Sequence, residues 1–135
     1  MTESSVVCDA SALVALLTDA GPAGRWVAGC LHETTILAPG LAAYEAANIL
    51  RRHELAGLLA ADVAAEAHQD LLDLPILWWS SDVLAPRAWA LRGSLTVYDT
   101  SHVALAELTR AALCTLDLRL ARAPGLRCRV LTPAG

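Results

Sequence analysis

The stretch VVCDASALVALL, Val6 to Leu17, decides how the rest of the chain is read. Val6, Val7 and Cys8 form a short apolar, β-prone run. Asp9 ends it, and Ala10-Ser11 leads at once into apolar residues at helical spacing. A strand that gives way directly to a helix delivers the carboxylate between them to the carboxyl edge of a sheet. In open α/β folds that edge is where ligands sit. The same pattern returns in AALCTLDLRLA, Ala111 to Ala121, where Asp117 leaves a second short strand.

Between and around these two stretches, strand and helix alternate. Residues 6–9 read as strand one, apolar up to Asp9 and so central and parallel. Residues 11–17 form a short helix, closed by the turn at 18–22, and Pro22 opens a second helix to about residue 31. Trp26, Val27 and Cys30 share a face of that helix. Residues 34–38 are strand two; Pro39-Gly40 breaks it and starts a helix over 41–55. Gly57 ends that helix, and another covers 60–72. Residues 74–78 (LPILW) are strand three, with Pro75 at its start or placing it at an edge. Trp78 is expected in the core, with Trp79 packed on the other face. Ser81 or Asp82 caps a helix over 83–91, and Thr96 or Asp99 starts one over 96–108. Strand four covers 111–116, a short helix 117–121, and strand five 128–131. Pro124-Gly125 and the final Pro-Ala-Gly are breaks. The alternation predicts an α/β fold, a parallel sheet with helices on both faces, as a single domain over residues 1–135.

A chain of 135 residues can bury about 70% of its unfolded surface. Its apolar content, 56%, is high enough to predict a face covered by a partner or a second copy. No apolar run approaches the ~18 residues that a membrane span requires. The MTESS start has neither the basic region nor the apolar core of a signal peptide, so a cytoplasmic protein without membrane contact is expected. The four cysteines show no C-x-x-C spacing, which argues against a zinc ribbon. Reduced thiols are the expectation, although Cys8 and Cys114 fall on strands that can be neighbours.

All ten basic residues are arginine, and the net charge is −4. The absence of lysine argues against Walker-A ATPases, haloacid-dehalogenase phosphatases, response-regulator receivers and Schiff-base enzymes, which all place an ammonium by the reacting group. The acidic balance argues against nucleic-acid binding through a basic surface. It leaves room for a nuclease, in which clustered carboxylates lower the net charge while separate arginines hold phosphates.

If strands one and four are adjacent, Asp9 and Asp117 meet at one point of the sheet edge. Asp99 falls in the first turn of its helix, where the dipole favours a carboxylate; taken alone it reads as a cap. Glu45 lies among small residues in AAYEAAN, with Asn48 at i+3 and Arg52 at i+7 on its face; taken alone it reads as solvent-facing. Asp19, Asp62, Asp70, Asp73, Asp82, Glu33 and Glu107 read as solvated. Should Asp9, Glu45, Asp99 and Asp117 converge, their repulsion must be answered. Two carboxylates ~5 Å apart at an effective dielectric of ~20 repel by roughly 3 kcal/mol. Several such pairs rival a domain's entire stability of about 5–15 kcal/mol. Protons or a divalent cation must then occupy the site. With only oxygen donors at hand, Mg²⁺ or Mn²⁺ is favoured over zinc, and the matching chemistry is phosphodiester hydrolysis by activated water.

Four short motifs occur in order. They are D-x-S at Asp9 to Ser11, E-x-x-N at Glu45 to Asn48, YDTSHVALAE from Tyr98 to Glu107, and T-x-D-x-R-L-A from Thr115 to Ala121. Together they resemble the PIN-domain ribonucleases, and among these the VapC toxins of bacterial toxin–antitoxin pairs, from Val6 to Leu131. The resemblance implies a three-layer sandwich with five parallel strands in the order 3-2-1-4-5. It implies Asp9, Glu45, Asp99 and Asp117 as catalytic, Mg²⁺-binding acids, with Ser11 and Thr115 as supporting hydroxyls and Asn48 as a helper beside Glu45. It further implies cleavage of structured RNA such as tRNA or rRNA, neutralisation by a VapB antitoxin, a homodimer, and promoter DNA bound only through the antitoxin. His102 departs from the pattern and is expected to cover its helix at the rim of the site.

Arg52, Arg119 and Arg122 are the candidates for RNA phosphates, with Arg51 beside them; Arg87 and Arg92 lie on another helix and are less tied to the site. Trp26 packs between the first two helices or lines a groove for a partner helix. Two other classes stay open. One is a catalytically silent acidic pocket that captures a partner's arginine. The other is a phosphoacceptor receiver, which the missing lysine and the single aspartate after strand one disfavour.

Overall fold

The computed structural model describes residues 4–133. Residues 1–3 of the polar amino-terminal segment and residues 134–135 of the closing break lie outside the described residues. Five parallel strands, β1 (Ser4–Cys8), β2 (Thr34–Pro39), β3 (Ile76–Trp79), β4 (Ala112–Cys114) and β5 (Val130–Leu131), form one sheet in the order β3-β2-β1-β4-β5. Alternating side chains divide the core. Val6, Cys8, Ile36, Ala38 and Ile76 face α1 (Ala10–Thr18), α2 (Pro22–Leu31), α3 (Leu41–Leu55) and α4 (Ala61–Asp73). Val7, Leu37 and Leu113 face α5 (Ser81–Ala90) and α6 (Val97–Thr109), with Leu120 of α7 (Leu118–Arg122) beside them. The two-residue period of a strand, acting on runs such as Val6–Val7–Cys8 and Ile36–Leu37–Ala38 that are apolar at successive positions, thus produces the three-layer sandwich.

The central position of β1 follows from its composition: Val7 and Cys8 are fully buried, as only a strand covered on both faces and both edges can be. In α3, Ala42, Ala46 and Leu50 recur every fourth residue and are buried, which turns the rest of the helix outward. Gly57 ends that segment at φ 77°, a backbone conformation a side chain would strain.

Several element ends shift from their expected places. Strand four stops at Cys114; the Thr115 amide still donates to the Leu131 carbonyl at 3.1 Å, and the Thr115 hydroxyl accepts the Asp117 amide where the chain turns toward α7. Strand five shortens to two residues at the sheet edge. The fifth helix starts two residues early, with Ser80 in the capping position. Trp79 packs on the α5/α6 side as expected, but Trp78 is 40% exposed and not core. It lies on an edge strand, where only one flank is covered by a neighbour. Trp26 packs against the α1–α4 side of the core. Cys8 and Cys114 are register partners on β1 and β4, and both are free thiols. Tyr44, Trp89 and Val97 stand exposed around an apolar groove of about 620 Å³ between the start of α3 and α5. Among the described residues, no helix is long and apolar enough to cross a membrane.

Candidate active site

Asp9 follows β1 directly and is nearly buried, at 7% exposure. As the N-cap of α1 it accepts the Ala12 amide at 3.0 Å, and its Oδ1 also accepts the Ser11 hydroxyl at 2.7 Å. Its other oxygen accepts the Thr115 hydroxyl at 2.5 Å, from just beyond β4. Both hydroxyls act twice, since each can donate once and accept as well. Ser11 Oγ accepts the Leu116 amide at 3.2 Å, and Thr115 Oγ1 accepts the Asp117 amide at 3.0 Å. The adjacent ends of β1 and β4 are therefore clasped through one carboxylate, and Asp117 is set beside it.

Asp117 caps α7 and is gripped by Arg119, whose Nη2 lies 2.6 Å from Oδ2 and whose Nε lies 3.1 and 3.2 Å from the two oxygens. That fork of bonds holds the Asp117 carboxyl below its ordinary range. The same guanidinium lies 4.0 Å from Asp99. Asp99 sits in the first turn of α6, its amide bonded to the Thr96 cap at 3.2 Å. Burial pushes its carboxyl up, and the Asp117 charge adds to this, against the lowering effects of Thr96, Arg119 and His102.

Glu45 occupies the second turn of α3. Its Oε1 lies 2.9 Å from Nε2 of His102 on α6, the helix of the opposite layer. His102 was expected to cover the helix at the rim; it is buried instead, at 2% exposure, behind Glu45. Its neighbours share that burial, for Thr100 to Ala106 are all buried. A histidine in such a run needs a polar partner from another element.

Asp9, Glu45, Asp99 and Asp117 thus line one cleft of about 380 Å³, together with Ser11, Asn48, Arg52, His102 and Arg119. Thr115 stands beneath it, fully buried. Arg122 is not in the cleft. It lines an adjoining groove of about 610 Å³ with Arg92, Ser94 and Thr96, and Asp99 and Arg119 form the boundary that the two share. Arg92 is therefore nearer the site than its helix suggested, while Arg51 lines neither space. By its place on a polar helix face Glu107 is expected to be solvated. It is only 10% exposed in its side chain, pairs with Arg87 at 2.6 Å and accepts the Arg127 amide at 2.7 Å.

Among the described residues, no three His, Cys, Asp or Glu side chains converge closely enough to hold a metal ion as they stand. The donor set nonetheless suits a hard cation, being four carboxylates. The upward push on Asp99 is a cost that a cation would relieve. The Arg119 guanidinium lies against both Asp117 and Asp99, and that side chain is 76% exposed.

Comparison with protein families matches residues 6–126 to the PIN domain. Ribonuclease VapC1 of Mycobacterium tuberculosis is 36% identical over 129 residues, which cover 92% of this chain and 94% of that protein. The crystal structure of VapBC2 from Rickettsia felis, bound to a DNA fragment from their promoter, shares the fold with a TM-score of 0.67 at 12% identity. That match covers 95% of this chain and 98% of the other. M. tuberculosis VapC20, described as a sarcin–ricin loop cleaving toxin, shares it with a TM-score of 0.66 at 14% identity, over 92% and 98% of the two chains.

Proposed function

Because the chain belongs to the PIN-domain family, among the VapC ribonucleases, we propose that it is a divalent-metal-dependent endoribonuclease, the toxin of a VapBC pair. The observation that carries this reading is the meeting of Asp9, Glu45, Asp99 and Asp117, from four separate elements, in one cleft. These acids would hold Mg²⁺, or Mn²⁺ in its place. The cation would supply Lewis-acid polarisation of a phosphodiester and activation of the attacking water. The protein's own groups do the rest. Ser11 and Thr115 fix Asp9, Asn48 borders the cleft beside Glu45, and Arg52 offers a guanidinium at its wall. Arg119 and Arg122, with Arg92, line the adjoining groove where flanking RNA phosphates would lie. The substrate is structured RNA of the tRNA or rRNA kind. A VapB antitoxin neutralises the toxin, the chain pairs as a homodimer in a cytoplasmic toxin–antitoxin complex, and promoter DNA is reached only through the antitoxin.

The test is cleavage of a structured RNA by purified Asp9→Ala and Asp99→Ala proteins in the presence of Mg²⁺. Both lose cleavage and growth inhibition while keeping the circular dichroism of the parent; retained cleavage in both overturns the reading. One observation favours a second reading, a silent pocket for a partner's arginine, because Arg119 shows that a guanidinium fits between Asp117 and Asp99. Calorimetry separates the two: absence of divalent binding in the low-millimolar range selects the second.

A further inference from the structure

Glu45 is the one acid of the cleft that reaches it from the middle of a helix with no strand end or cap to fix it. Its side chain's only hydrogen bond among the described residues is the one to His102, 57 positions away in the chain. The bond assigns a tautomer. A carboxylate only accepts, so the proton lies on Nε2. His102 Nδ1 is the buried side-chain polar atom among the described residues that has no partner. The ring thus presents its Nε2–H to Glu45 from a position 2% exposed.

We propose that His102 is a positioning residue for Glu45: its Nε2–H fixes one carboxylate oxygen and leaves the other for a cation in the cleft, so that His102 sets the metal affinity of the site. This rests on the metal-dependent reading above. It inverts the familiar arrangement in which a carboxylate orients a ligating histidine, but the principle is the same. Groups that orient metal ligands typically change affinity by about ten- to a hundredfold when removed.

The experiment is calorimetric titration of the metal-free protein with Mn²⁺, for the parent, His102→Leu and His102→Gln, with Asp9→Asn as the control for the site. His102→Leu weakens Mn²⁺ binding by about ten- to a hundredfold. His102→Gln, whose amide N–H can donate to the same oxygen, stays within a few-fold of the parent, on the order of the context-dependence of a single hydrogen bond. A histidine serving packing alone would show the two variants bound equally and differing only in melting temperature. Nitrogen-15 spectra of the metal-free parent supply a readout that needs no cation: the Nε2–H tautomer is expected, with a shifted Nε2 signal in Glu45→Gln. If the parent binds Mn²⁺ and a folded His102→Leu binds it equally well, His102 has no such role. If His102→Leu fails to fold, a large loss in His102→Gln or an Nδ1–H tautomer overturns the proposal, and their opposites support it. If the parent itself binds no Mn²⁺, the metal site falls, and this inference with it.

Discussion

Replacing Thr115 by valine tests whether the clasp between β1 and β4 holds the site in place. The two side chains have nearly the same shape, so the change removes a hydroxyl and little else. Thr115 is fully buried, and its Oγ1 both donates to Asp9 Oδ2 at 2.5 Å and accepts the Asp117 amide at 3.0 Å. Loss of a hydrogen bond to an ionised partner costs about 1.5–3 kcal/mol, and loss of a neutral one about 0.5–1.5 kcal/mol. Asp9 keeps Ser11 and the Ala12 amide, and water can reach the half-buried Asp117 amide, so the low ends of both ranges apply together. The sum is about 2 kcal/mol, a sizeable share of the ~5–15 kcal/mol that holds a typical domain. Urea unfolding followed by tryptophan fluorescence measures it as a lower midpoint at unchanged slope. Thr115→Ser keeps the oxygen and loses a methyl group, for about 1 kcal/mol, and retains RNA cleavage that Thr115→Val loses. Equal stability of Thr115→Val and the parent, or equal damage from serine and valine, refutes the clasp.

Two further outcomes follow from the ion pairs. Burial pushes the Glu107 carboxyl up, but the Arg87 fork and the Arg127 amide outweigh it and hold it below the ordinary glutamate range. A lowered carboxyl stabilises the fold above its unfolded value and loses that contribution as pH falls through the folded one. The gap in urea midpoint between the parent and Glu107→Gln is therefore full at pH 7 and closes below about pH 4.3; a gap independent of pH refutes the assignment. Arg119→Ala removes the guanidinium seated on Asp117, so Mn²⁺ binds more tightly by calorimetry while RNA cleavage falls for want of a phosphate contact. Weaker Mn²⁺ binding in that variant would mean that Arg119 organises the acids and does not compete for them.

Much of this was legible in the chain because the fold depends on strong local signals. Each parallel strand is apolar at successive positions, and Asp9 and Asp117 each stand at a strand-to-helix junction, so the order of the sheet alone brings them together. Glu45 and Asp99 were harder, since each has an ordinary local explanation, solvent or cap. Only the packing of α3 and α6 onto the same end of the sheet places them in the cleft. His102 illustrates what sequence spacing cannot supply. Its position three residues after Asp99 suggested the helix surface, whereas α6 is packed against the sheet and α5 so deeply that this face is interior. Trp78 fails in the opposite sense, because a strand's apolar character does not reveal how far its covering layer extends at an edge. Glu107 looked solvated because its arginine partners come from α5 and from the loop before β5, distances in sequence that no helical period reports.

The groups that answer the four charges differ in one respect that bears on how the site would work. Asp9 is held by hydroxyls and an amide, and Glu45 by an imidazole; Thr115 and His102 are buried, Ser11 is half-buried, and the amide belongs to the backbone. Asp117 and Asp99 are answered by Arg119, a flexible side chain at the surface. The first kind of support orients a carboxylate without neutralising it, so the charge remains available to a ligand. The second kind neutralises a pair of carboxylates and can leave. A cleft with fixed neutral donors behind two acids and a removable cation before the other two can stay folded while empty and still bind a hard cation without breaking its frame. Had both supports been of the second kind, an incoming cation would find unplaced ligands; had both been of the first, repulsion between Asp99 and Asp117 would weigh on the metal-free fold. The division between His102 and Arg119 is therefore what the paired substitutions, His102→Leu and Arg119→Ala, should resolve as opposite changes in Mn²⁺ affinity.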